Sequence, residues 1–195
     1  MIRTLIFALA LAAPGMSLAE PYIRPADTAR LAGFEAHLGA ALKEALAEGA
    51  AADIALMQEA MRGAALASPA PEGDWKCRVM KMGGLLPLTA YPNFSCRITA
   101  TGAGTWRIEK RTGSQLFRGT LTEVEGGILY RGVGFNGAAP ARDYDELPPD
   151  DQTPVEPNQT TADIGWFEQM SAGRGRLMLP DPILESRFDL FYLTR

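Results

Sequence analysis

Both cysteines of the chain, Cys77 and Cys96, fall in one stretch, Gly73 to Arg97, in which apolar and polar residues alternate. Alternation of this kind has the period of a half-buried strand. If the cysteines face each other across antiparallel strands, Trp75 meets Ile98 and Val79 meets Phe94, all on one face. Directly opposed residues have Cα separations of about 4.5–5.5 Å, within disulfide range. The covalent link and the apolar alternation therefore predict the same hairpin. A bridge closing a loop of roughly 20 residues stabilises by about 3 kcal/mol in the chain-entropy treatment. The opposite face of this hairpin presents Lys76 beside Arg97, with Arg78 next along. Like charges directly opposed are destabilising unless neutralised. Glu44, Glu48 and Glu59, an acidic loop further on, or an anionic ligand could supply the counter-charge. Lys76, Arg78 and Arg97 are thus the candidate binding residues.

The first residues predict export. Arg3 supplies a short positive region, Leu5 to Pro14 an apolar one, and Ser17-Leu18-Ala19 a small-x-small cleavage site before Glu20. The apolar run is too short for a membrane span of roughly 20 residues, and Pro14 and Gly15 interrupt it. A soluble periplasmic or secreted product, without stable membrane insertion, is expected. Two cysteines in an oxidising compartment read as one structural disulfide. They are too far apart for a C-x-x-C redox centre, and with a single histidine, His37, no zinc set is expected. A net charge of −4 and an isoelectric point near 5.1 argue against nucleic acid as a partner.

Helical periodicity comes first along the chain. From Pro25, Leu31, Phe34, Leu38, Leu42, Ala45 and Leu46 recur at three- and four-residue spacing up to Gly49, which predicts one amphipathic helix of about six turns. A second, from Asp53 to about Arg62, carries Ile54, Met57 and Met61 on one side. Their apolar stripe needs a partner, and the outer face of a β-domain is the expected one. The organisation read from these patterns is a signal peptide at 1–19, a helical hairpin at 20–66, a linker at 67–73 and a β-domain at 74–195. In the β-domain, about eight strands are expected: Trp75 to Lys81, Phe94 to Thr99, Thr105 to Lys110, Leu116 to Thr122, Ile128 to Gly134, Ala162 to Gln169, Arg174 to Leu179 and Arg187 to Thr194. Short glycine-containing connections suit an up-and-down meander, which hides its edges by closing into a barrel. The segment Asn136 to Thr161, with five prolines and an acidic run from Asp143 to Asp151, reads as a loop at the rim.

Gly73-Asp74-Trp75 opening the first strand, with a meander whose final strand runs to Arg195, resembles the calycin superfamily of lipocalins, avidin-like barrels and exported metalloprotease inhibitors. The resemblance implies that Trp75 closes one end of the barrel and that a basic residue of the last strand, here Arg195, lies over it. Gly73 to Arg78 together with Tyr91 to Arg97 also resembles an exported domain family of unknown function from Gram-negative bacteria, with a helical N-terminal part. That resemblance implies fold and compartment, and no catalytic residue.

No catalytic constellation emerges from the residues. His37 sits inside a helix pattern, no Gly-x-Ser-x-Gly elbow is present, and the Asp143 to Asp151 run lacks the spacing of an EF-hand loop. Expected inward residues Trp75, Val79, Phe94, Ile98, Trp106, Ile108, Phe117, Leu121 and Tyr130 are bulky enough to fill a small barrel. The expectation is therefore an α+β chain, a helical hairpin on a disulfide-pinned antiparallel barrel. It would act as a non-enzymatic, monomeric binding module of the cell envelope, an inhibitor-like one among the options, without cofactor, holding a protein or anionic partner. Two alternatives stand beside it: a carrier of a small molecule or lipid in the barrel mouth, and a hydrolase using paired carboxylates.

Overall fold

A computed structural model describes residues 20–137, 139–140 and 142–195. The predicted leader, 1–19, and the residue before its cleavage site lie outside the described residues. Three helices, α1 (Pro25–Ala32), α2 (Phe34–Glu48) and α3 (Ala51–Met61), precede eight strands. These are β1 (Gly73–Met82), β2 (Leu88–Gly102), β3 (Thr105–Lys110), β4 (Gln115–Val124), β5 (Gly127–Asn136), β6 (Thr161–Ser171), β7 (Arg174–Pro180) and β8 (Phe188–Thr194). Every strand pairs antiparallel with the next, and β8 returns to β1, so the sheet is a closed barrel. The α+β architecture read from periodicity is the one observed.

The expected inward residues do form the interior. Trp75, Val79, Ile98, Trp106, Ile108, Phe117, Leu121 and Tyr130 share one buried cluster with Phe167, Leu177, Phe191 and Leu193, and Phe94 packs against it. Tyr130 lies across two inward glycines. A β-carbon on Gly119 would stand 2.5 Å from its ring, and one on Gly132 would stand 2.2 Å from its hydroxyl. The glycines thus make the space that a large aromatic occupies in a narrow barrel.

The hairpin register differs from the expected one by two residues. Cys77 opposes Phe94 and Trp75 opposes Cys96, while Ile98 opposes Gly73. The disulfide Cys77–Cys96 therefore joins diagonal neighbours, with a Cα separation of 5.8 Å. A two-residue shift preserves the face of every side chain, and strand twist brings one diagonal within disulfide range. A bulge between Arg78 and Met80 follows, where β2 spends an extra residue around Pro92.

The long first helix is in fact two. Gly33 interrupts it, and the imidazole of His37 lies over this glycine, where a β-carbon would be 2.7 Å from Nε2. Glycine at this position lowers helix propensity. α2 and α3 bury Ala41, Ala45, Met57 and Ala60 against Met80, Met82, Met178, Phe188 and Leu190 on the outer barrel wall. Phe34 meets Phe188 edge to face at 5.4 Å. The stripe is thus covered within the chain, except Leu46, which is exposed. β7 supplies the basic cap that α3 lacks in its own last turn: Arg174 donates to the Glu59 carbonyl at 2.8 Å and Arg176 to the Met61 carbonyl.

α1, freed from α2 by the break, carries a buried ionic knot. Asp27 accepts from Arg24 at 3.2 Å, from Arg30 at 3.0 Å and from the Tyr144 hydroxyl at 2.7 Å. Arg30 also donates to the carbonyls of Ala162 and Pro180, at 2.9 and 3.2 Å. The long acidic segment is therefore more than a solvated rim loop. Tyr144 and Leu147 are buried with Leu129, Val133 and Ile164 on the outer face of β5 and β6. Asp143 and Asp145 pair with Arg118 and Arg131. Among the described residues no helix is long and apolar enough to cross a membrane.

Candidate functional site at the barrel mouth

One end of the barrel is shut. Trp75 is buried there, its indole N–H donating to the Pro71 carbonyl at 2.8 Å, and the Arg195 guanidinium lies 3.9 Å above its ring. Arg195 also donates to the carbonyls of Pro71 and Glu72. The pair implied to close one end thus meets there.

The opposite end is open. In an antiparallel ring, odd strands finish and even strands begin at the same rim. That rim receives Lys81 from the end of β1, Lys110 from the end of β3, Asp163 from the start of β6 and Asp189 from the start of β8. All four line one cavity of about 300 Å³ together with Val79, Phe94, Phe117, Leu179 and Phe191. The connection between β7 and β8 lies along the opening, contributing Ile183 and Leu184 to the lining. It is tied across the mouth by Glu185, which accepts from Lys81 and, at 3.4 Å, from Gln115.

The four charged groups differ in how they are met. Burial would lower the Lys81 ammonium, but Asp189 and Glu185 outweigh it and hold it above its usual value. Asp189 accepts a 2.5 Å hydrogen bond from the Ser186 hydroxyl, yet burial pushes its carboxyl up to about 6. Lys110 donates to the carbonyls of Thr112, at 2.8 Å, and Gln115, and stands 3.8 Å from the centroid of the Phe94 ring. It has no carboxylate partner among the described residues, and burial, with Lys81 nearby, lowers it to about 8. Asp163 is only 8% exposed, and its carboxylate makes neither hydrogen bond nor ion pair among the described residues. Its Oδ2 lies 3.0 Å from where a β-carbon on Gly134 would stand. Burial pushes Asp163 up to about 7; Arg30 opposes the rise, and Asp189 and Asp27 add to it. A nearly buried carboxylate without a hydrogen-bond partner is costly in an empty site and useful in a filled one.

The predicted basic row looks different. The register places Asp74, rather than Lys76, opposite Arg97, and the two form a 2.8 Å ion pair. Arg78 donates to the Tyr91 carbonyl at 2.7 Å, while Lys76, exposed, faces Ser95. The like-charge opposition is absent. Of the three helical carboxylates proposed as its counter-charge, two are engaged elsewhere, Glu44 with Arg187 and Glu59 with Arg174 and Arg62, and Glu48 is exposed. His37 sits at the surface, 3.9 Å from Asp181. Among the described residues no group of His, Cys, Asp and Glu has the geometry to hold a metal ion, the Asp143 to Asp151 run included.

Lys81, Lys110, Asp163 and Asp189 were not singled out from sequence, although a signal was present. Each continues the inward parity of its strand: 75, 77, 79, 81 in β1, 106, 108, 110 in β3, 163, 165, 167 in β6 and 189, 191, 193 in β8. Charged residues at inward positions, all at one rim, mark a polar mouth on an apolar barrel.

Residues 20–193 match the family described as "Domain of unknown function (DUF4893)". The chain belongs to this family. No curated protein and no solved structure matches it. Within this DUF4893 chain, the mouth cavity gathers inward-facing charges that the closed end does not.

Proposed function

We propose that this DUF4893 protein is an exported binding barrel that holds a small molecule in its open mouth without turning it over. The observation that carries the reading is the cavity of about 300 Å³, apolar on its walls and provided with an unpartnered, nearly buried carboxylate, Asp163. Ligand sites have this build, with a mostly apolar lining and a few polar groups that fix orientation. The Cys77–Cys96 disulfide accords with export to an oxidising compartment. The outer basic row offers less to a protein or anionic partner, because Arg97 and Arg78 are already engaged.

The test is occupancy. Native mass spectrometry of the freshly purified protein should show a co-purifying small molecule, and the neutral fluorophore N-phenyl-1-naphthylamine should bind with one site. Ser114→Trp, at an exposed turn residue of the lining, should weaken that binding tenfold or more. Fluorophore binding unaffected by Ser114→Trp would remove the mouth site.

A second reading has one observation in its favour. Asp163 and Asp189 line the same cavity with both carboxyls held above their ordinary range, as acid–base pairs in hydrolases are. It requires turnover of an aryl glycoside or ester panel that Asp163→Asn abolishes; a panel without turnover rejects it.

A further inference from the structure

The cavity holds more charge than it pairs, and the excess has a pattern. Lys81 is met by Glu185, and Asp189 is met by the Ser186 hydroxyl. After those pairings one cation and one anion are left over, Lys110 and Asp163. Both are nearly buried, at 6% and 8% exposure, and both line the cavity. No ion pair joins them among the described residues. Between them lies apolar surface from Phe94, Phe117 and Phe191, with Phe117 edge to face on Phe191 at 4.9 Å. The empty site therefore presents a positive pole, an apolar middle and a negative pole.

Resting on the mouth-site reading, we infer that the ligand is a small zwitterion with an apolar body, an apolar amino acid or a short apolar peptide. Its carboxylate lies at Lys110 and its ammonium at Asp163. A neutral apolar molecule leaves both buried charges unpaired, and a singly charged one leaves one of them. A zwitterion of matching span pairs both, so discrimination comes from the cost of the unmet group in every other ligand. The volume of about 300 Å³ stands at the lower end of ligand cavities, which suits such a molecule and is too small for a two-chain lipid. Lys110 is already oriented by two carbonyls and the Phe94 ring, so little side-chain freedom remains to be lost on binding.

The test is a calorimetric titration of the whole mature protein with L-leucyl-L-phenylalanine, its N-acetyl form, its C-terminal amide and L-phenylalanine. N-phenyl-1-naphthylamine serves as the control for an intact cavity. At least one zwitterion should bind, and the dipeptide should bind tenfold or more tightly than either blocked form. Asp163→Asn, an isosteric change, should erase the preference over the acetylated form, and Lys110→Met the preference over the amide. If blocked and unblocked peptides bind alike, if neither zwitterion binds, or if the variants leave the preferences unchanged, the inference is overturned. Retained fluorophore binding in those cases would leave the mouth site standing. Loss of the mouth site itself would be read from the Ser114→Trp comparison.

Discussion

Arg195 stacks its guanidinium 3.9 Å above the indole of Trp75 and so fastens the outgoing end of β8 to the incoming end of β1. The indole fills the shut end of the barrel, and the arginine adds cation–π attraction and hydrogen bonds to two carbonyls. Trp75→Ala should cost about 3–5 kcal/mol through the cavity it leaves. Arg195→Ala should cost about 1 kcal/mol, since one side of the stack is exposed. Urea unfolding of the two variants measures both, and a larger loss from Arg195→Ala than from Trp75→Ala would contradict this division.

The diagonal disulfide makes its own prediction. Intact mass after alkylation without reductant should show no labelled thiol, since Cys77 and Cys96 are bonded to each other. Replacing both by alanine should lower stability by about 3 kcal/mol. Because β1 remains paired to β8 as well as to β2, the variant should still close the barrel, with its far-ultraviolet dichroism unchanged.

The mouth charges should make stability depend on pH. Folded Asp163 and Asp189 hold their protons to about 7 and about 6, first because of burial. In the unfolded chain both ionise near the ordinary value of about 3.9. Over that interval the folded protein binds more protons than the unfolded chain. The stability the two groups give is therefore complete below about pH 4 and is lost as pH rises to about 7. Lys110, lowered to about 8, works in the opposite sense above that pH, where the unfolded chain keeps a proton that the folded one has released. Charges facing Asp163 come from Arg30 and Asp27 on α1, Lys81 on β1 and Asp189 on β8. Asp163→Asn isolates its share: the variant should gain on the wild type between pH 4 and 7, reaching on the order of 1–3 kcal/mol at pH 8. Parallel stability curves for the two proteins would contradict it.

The knot on α1 should behave as a buried ion cluster. Asp27 is fully buried between Arg24 and Arg30, so Asp27→Ala leaves two guanidiniums without their carboxylate. A loss of about 3–5 kcal/mol is expected. Tyr144→Phe removes the hydrogen bond its hydroxyl donates to Asp27 and the one it accepts from the Arg24 N–H, and should cost less, about 1–3 kcal/mol. Hydrogen exchange should report the Asp27→Ala damage in α1 and in residues 144–152, with the β1–β2 hairpin protected as before.

Alternation made most of the barrel readable in the sequence. β3 was expected at Thr105 to Lys110 and is found there, because its inward Trp106 and Ile108 and its outward Arg107 and Glu109 state the period plainly. β2 was read late, from Phe94, because Tyr91, Pro92 and Asn93 look like a turn; the strand absorbs them in a bulge with all three exposed. Parity fixes a face but leaves register free in steps of two, and the hairpin differs by one such step. The mouth was missed for a different reason. Lys81 and Lys110 stand at or next to their strand ends, where a charge breaks the apolar run although its parity still points inward. The Asp27 knot joins residues more than a hundred positions apart in sequence, and no local pattern announces it.

Because β1 finds its second partner only in β8, the ring cannot close until nearly the whole barrel sequence is present. Until then the outer edge of β1, from Lys76 to Met82, is an unsatisfied template open to any passing strand. A chain delivered across a membrane as a thread would spend its transit in that unfinished state. The circular sheet therefore makes timing part of the design: recruitment of the last strand must outrun association with neighbouring chains.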